Sequence, residues 1–276
     1  MTRPQNPAAP EHTFGADGSR RRHEARLITH QLVAEQRMFW RSREAAIFIF
    51  VFPLLLYSLL SSVYSHNIEI DGVRHIAADV LLAGLFGYGA ANTAFAGLAI
   101  MLVGRRETGT LKRLRATPLP PAVYLVAVIL STLLVFTLQA IALLALGRAF
   151  FGASTPANLL GFAGAIVLGV VCFAGMGVGA AALIRSADGA SAVVNVFLLP
   201  MAFLSGSFGP TRHFPQFLQA IADVLPLTYF LDLVDGVYLK GDSLFADPWA
   251  LAVVAAWGGA GVLVALRRFS WMPRET

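Results

Sequence analysis

Six stretches of this chain carry no Asp, Glu, Lys or Arg: 45 to 68, 80 to 104, 116 to 147, 149 to 184, 189 to 211 and 248 to 266. A hydrocarbon core about 30 Å thick takes about 20 apolar residues of helix, and all but the last run exceed that length. With no water to satisfy a peptide group inside a bilayer, each crossing segment must bond its own backbone, as a helix does. The chain is therefore read as an all-α membrane protein with six transmembrane helices at 46–66, 80–103, 122–146, 159–184, 190–207 and 248–266. Charged residues make up 13% of the sequence against 57% hydrophobic ones, which excludes an ordinary soluble surface.

A formal net charge of +5 would suit nucleic acid, but the bases flank apolar segments instead of forming a solvated patch. Six spans put both termini on one side. That side holds 17 Lys and Arg and the other 4, so the positive-inside rule predicts cytoplasmic termini. Residues 1–24 read as a disordered basic tail, 25–268 as the transmembrane domain and 269–276 as a cytoplasmic tail. After the tail, Ile28, Leu32 and Phe39 recur at helical spacing, with Trp40 beside them and Arg26, Arg37, Arg41 and Arg43 interspersed. This pattern predicts an interfacial helix lying along the membrane before the first span.

Between the fifth and sixth spans, Asp223, Asp232 and Asp235 argue against a further crossing, since a carboxylate in hydrocarbon costs roughly 2.5 to 3.5 kcal/mol. Two short outer helices separated at Pro226 fit better. Gly161, Gly164, Gly169, Gly175, Gly177 and Gly179 in the fourth span permit close helix approach. At Gly175 and Gly179, Leu is expected to disrupt packing and Ala to be milder.

No catalytic or metal constellation emerges. The six histidines are scattered without ligand spacing, Cys172 is the single cysteine, and there is no GxxxxGK[ST] phosphate loop. An energy source must then come from another subunit or an ion gradient. The most informative segment is Arg105 to Pro121, RRETGTLKRLRATPLPP. Leu111 and Leu114 stand at i,i+3 spacing beside Lys112, Arg113 and Arg115, and the prolines limit the helix they form. A compact amphipathic rod held between two spans suits the reception of force from a cytoplasmic partner. A plain positive-inside loop is the other reading.

GRRETGTLKRLRATPLP resembles the cytoplasmic segment of type-2 ABC export permeases, in particular the small bacterial multidrug and daunorubicin-resistance-like membrane subunits. LPLTYFLDLVDGVYLKG resembles that family's segment before its final span, and MFWRSREAAIFIFVFPLLL its approach to span one. The resemblance implies a bacterial plasma-membrane permease that is no enzyme by itself. It would work as two membrane subunits, expected to be identical, with two cytoplasmic ABC ATPase subunits that hold the ATP and Mg2+. The chain itself would bind no cofactor, metal or nucleic acid. Residues 27–43 would be the interfacial connecting helix, with Ile28, Leu32, Phe39 and Trp40, and 105–117 the coupling segment. Glu107, Lys112, Arg113 and Arg115 match its charged positions and Thr110, Leu111 and Leu114 its contact core. Segments 213–224 and 227–239 would be the outer helices. Spans one, two and five would form the cargo path, with Phe48, Phe52, Phe86, Asn92, Phe95, Asn195, Phe197 and Phe203 as its candidates. The expected function is export of an amphipathic drug or hydrophobic metabolite. A lipid or cell-surface polysaccharide exporter, and a non-transporting membrane scaffold, are the alternatives.

Overall fold

Long apolar runs must bond their own backbone and become helices, one of them even around the central Pro53, and the computed structural model, which describes residues 16–64, 68–70, 73–117, 119–211, 214–270 and 272, is built almost wholly from them. Helix α1 (Ala16–Arg41) precedes α2 (Arg43–Val63). A small antiparallel hairpin follows, β1 (Ile68–Ile70) against β2 (Val73–His75), with Ile68 opposite His75. Then come α3 (Ala77–Ala90), a π-helical segment (Ala91–Gly97), α4 (Leu98–Glu107) and the short α5 (Thr110–Arg115). The remainder comprises α6 (Pro121–Phe151), α7 (Leu159–Leu183), α8 (Ala187–Leu204), α9 (Gln216–Ala222), α10 (Pro226–Asp235) with a π turn (Gly236–Lys240), and α11 (Pro248–Arg268).

Among the described residues, six helical stretches are long and apolar enough to cross a membrane: Ala46–Val63, Ala77–Glu107, Pro121–Phe151, Leu159–Leu183, Ala187–Leu204 and Pro248–Arg268. A further apolar pair, α9 with α10 and its π turn, is bent by 81°. Pro226 stands at the first turn of α10, where its missing N–H costs nothing.

Two sequence expectations shift. The first helix starts at Ala16, inside the segment read as a disordered tail, because no proline and only Gly18 interrupt the sequence from there to Arg41. Residues 1–15 lie outside the described residues. The second helical stretch is also longer than its charge-free run. It begins ahead of Asp79 because that carboxylate accepts hydrogen bonds from the Ser154 amide (2.7 Å) and hydroxyl (2.9 Å). It runs on to Glu107 because the charges at its far end are paired as well.

That second stretch is the axis of the molecule. Of its apolar length 78% is buried within the chain, against 22% for the first and last crossing helices. In the π segment, Thr93 donates to Gln139 Oε1 of α6 at 3.1 Å, with both residues buried. The widened π turn also meets α7. A Cβ on Gly177 would fall 2.8 Å from the carbonyl oxygens of Ala94 and Phe95.

The closest helix approach joins α7 to α11. A Cβ on Gly175 would lie 2.6 Å from the Gly258 carbonyl oxygen, and one on Gly179 2.6 Å from that of Gly261. These obstacles are backbone and cannot rotate away. A single methyl already meets these oxygens, so Ala is expected to disturb the packing here as well, though less than the bulkier Leu. Two bare helix faces in contact gain dispersion that lipid cannot supply, which is how small residues hold helices together in a bilayer.

Candidate functional site

The chain leaves α4 through three consecutive charged residues, and each is held by a different neighbour. Arg105 forks onto Glu35 of α1, with Nη1 to Oε1 at 2.8 Å and Nη2 to Oε2 at 2.6 Å, and also donates to the Tyr124 hydroxyl of α6 at 2.7 Å. Glu35 is only 3% exposed and takes a further bond from Gln31 at 2.9 Å. One residue on, Gln36 donates to the carbonyl and hydroxyl oxygens of Ser131, so α1 is fastened to α6 at two points. A planar guanidinium satisfies both carboxylate oxygens at once, the strongest form such a buried pair takes.

Arg106 is 2% exposed and caps the end of α7. It donates to the carbonyls of Ala181 (2.9 Å), Ile184 (2.6 Å) and Arg185 (3.3 Å). The last carbonyls of a helix lack partners within it and carry the negative end of its dipole, so a cation belongs there. Glu107 does the converse at the start of α8, where its Oε2 accepts the Ala187 N–H at 2.8 Å. Arg105, Arg106 and Glu107 thus tie the root of one short segment to α1, α6, α7 and α8.

Beyond this knot the chain turns at Gly109, whose φ of 70° favours a residue without a side chain. Helix α5 then runs for six residues, and Pro121 opens α6. Leu111 is 0% exposed and packs into this chain's own core, with Leu114 half-buried beside it. Leu111 as a contact for a partner is therefore corrected: it anchors the rod to the domain. Thr110, Lys112, Arg113 and Arg115 face outward, as does Glu107.

On α1, Ile28, Leu32 and Phe39 are half-buried and Trp40 is exposed. The Trp40 ring stacks on Phe50 of α2 at 5.6 Å and meets Phe39 edge-on at 5.2 Å.

The cargo-path candidates divide. Phe86 and Phe95 are buried, and Phe86 packs edge-on to Phe162 at 4.8 Å, so as core side chains they line no open surface. Asn195 is exposed but bonds within its own helix to Ser191 O at 2.8 Å, and Asn92 is half-buried. Phe197 is exposed. Phe48, Phe52 and Phe203 belong to a continuous chain of rings. Phe48 stacks on Phe52 (5.2 Å), Phe52 meets Tyr88 (6.2 Å), Tyr88 meets Phe208 (5.2 Å) and Phe208 meets Phe203 (4.8 Å). This chain joins α2, α3 and α8, starting near the first turns of α2 and ending at the last turn of α8.

The sequence reading missed Glu35, Arg105, Arg106 and Tyr124 as partners, and Tyr88 and Phe208 as links. Glu35 left a trace. It shares a helical face with Ile28, Leu32 and Phe39, and a lone acid on a packed face needs a buried cation.

Among protein-family models, that described as "ABC-2 type transporter" matches residues 27–239. "Probable multidrug ABC transporter permease YbhR" of Escherichia coli K12 is 28% identical over 173 residues, covering 62% of this chain and 47% of that protein. "Inner membrane transport permease YhhJ" of the same organism is 28% identical over 179 residues, covering 62% of this chain and 48% of that protein. The chain spans about half the length of these two relatives.

Proposed function

Because the chain belongs to the ABC-2 type transporter family, as a multi-pass, non-catalytic membrane permease subunit, we propose that it forms the cargo pathway of an ATP-driven exporter whose ATP is hydrolysed by a separate cytoplasmic subunit. The observation that carries this reading is the knot at Arg105, Arg106 and Glu107. A pull on the exposed basic rod α5 is passed directly to α1, α6, α7 and α8, because the root of the rod is bonded to all four. Lys112, Arg113 and Arg115 meet the ATPase, and Leu111 keeps the rod attached to the domain it must move. Two copies of the chain with two ATPases complete the exporter, and both termini lie in the cytoplasm, in keeping with the 17 to 4 distribution of bases. Helix α1 lies in the membrane interface, and α9 with α10 lies at the outer face.

In this proposal the cargo is an amphipathic drug or hydrophobic metabolite. Two features support it: the name carried by one relative, and the ring chain from Phe48 to Phe203 along the three spans expected to carry cargo. Aromatic faces hold flat apolar compounds through stacking without demanding one hydrogen-bond pattern. The test is ATP turnover by the permease and its ATPase in vesicles, across a panel of aromatic amphiphiles, lipids and polysaccharide precursors. Aromatic amphiphiles are expected to stimulate turnover, and Phe52→Ala to raise the concentration needed several-fold. Stimulation by polysaccharide precursors alone would replace this cargo with the surface-polymer alternative.

A further inference from the structure

The outward side of α1 has a regular composition that its packed side does not explain. Arg26, His30, Arg37 and Arg41 are all exposed and follow one another at spacings of four, seven and four residues, which puts them on one stripe of the helix. The stripe lies opposite Ile28, Leu32, Glu35 and Phe39, the side packed onto the domain. Val33 (42% exposed) and Trp40 (48% exposed) flank it, seven residues apart. The acids of this region stand elsewhere. Glu35 is on the packed side in its pair with Arg105, Glu24 is half-buried, and Glu44 opens α2.

The position of the stripe follows from Trp40. Its ring stacks on Phe50, in the second turn of the first crossing helix, so the Val33 and Trp40 flank lies beside the start of a membrane span. Tryptophan favours the boundary between hydrocarbon and headgroups. A helix with its packed side on protein, an apolar flank at that boundary and guanidinium groups next to it meets the headgroup layer with fixed positive charge and hydrogen-bond donors in planar forks. We infer that this face of α1 is a binding surface for anionic phospholipid headgroups, phosphatidylglycerol among them. It holds the connecting helix on the membrane while Glu35 and Gln36 hold it on the domain. The inference rests on α1 alone and stands whether or not an ATPase engages α5.

The test uses the full chain in lipid vesicles with Trp249, Trp257 and Trp271 changed to Phe, so that Trp40 is the only indole. Its fluorescence is quenched by phosphatidylglycerol or by phosphatidylcholine brominated on the upper acyl chain, each at the same fraction of the bilayer. Brominated phosphatidylglycerol is expected to quench more strongly, with a local enrichment of roughly fivefold, the scale of attraction between one basic side chain and an anionic surface. High salt should reduce the difference. The variant R26Q/R37Q/R41Q should abolish it, while R26K/R37K/R41K should keep most of it. Equal quenching by the two lipids in the parent protein, or selectivity that survives in high salt, overturns the inference and needs no variant to fold. Equal quenching together with loss of a co-purifying ATPase in the Gln variant would overturn it in favour of a protein contact.

Discussion

Arg105 and Glu35 illustrate how much a single buried ion pair can control. Removing the guanidinium strands a carboxylate that is 3% exposed, and breaking a buried pair in this way costs about 3–5 kcal/mol, whereas replacing both partners with apolar side chains is often neutral. Arg105→Leu is therefore expected to lower the unfolding temperature of the purified protein sharply, and Glu35→Leu in the same chain to restore much of it. A double variant as unstable as the single one would show that the pair adds nothing specific. Arg106 makes a separate prediction. Arg106→Gln uncaps the carbonyls of Ala181 and Ile184 and should cost about 1–3 kcal/mol, the usual penalty for leaving a buried acceptor unpaired. Limited proteolysis should then cut first near 184–186, where α7 gives way to α8. The sequence showed the charges of this triad but not their destinations, because Glu35 and Ala181 lie 70 and 75 positions from the arginines they meet, and charge alone does not specify a long-range partner.

At the scale of elements, the crossing helices were legible because hydrophobic run length is a local property, while their packing order was not. Glycines in the fourth span signalled a close neighbour, yet nothing in their spacing named α11, the last helix, as that neighbour. The Gly258 and Gly261 carbonyls now fix the outcome of substitution. Gly175→Ala and Gly179→Ala should each lower thermal stability and broaden the gel-filtration peak in detergent, because a methyl would sit 2.6 Å from an immovable oxygen. Gly259→Ala in α11, where nothing lies within 4 Å, should be tolerated or slightly stabilising. Normal behaviour of all three variants would mean that α7 and α11 are farther apart in the membrane. The π segment at 91–97 had no sequence signature, since it arises where α7 and Gln139 of α6 crowd one stretch of the axial helix. The hairpin did leave one: Asp71-Gly72 between alternating residues is a common turn signal.

Across the whole molecule, a membrane domain built on an axial helix is joined to a basic rod at the foot of that helix. Orientation is one consequence. In a Cys172→Ser background, Ser243→Cys should react with a membrane-impermeant thiol reagent in intact cells and Thr110→Cys only after permeabilisation, and the reverse pattern would invert the topology. The coupling role of α5 is the central claim. Its test follows from the exposure of Lys112, Arg113 and Arg115 and the burial of Leu111, since changing the leucine would damage the domain itself. The direct measurement is co-purification of the ATPase, with ATP-driven cargo movement in the same vesicles, for the variant K112E/R113E/R115E. Normal insertion and an unchanged gel-filtration profile are expected, with loss of both the ATPase and transport. A variant that retains its ATPase and moves cargo at the parent rate would contradict the coupling role of α5.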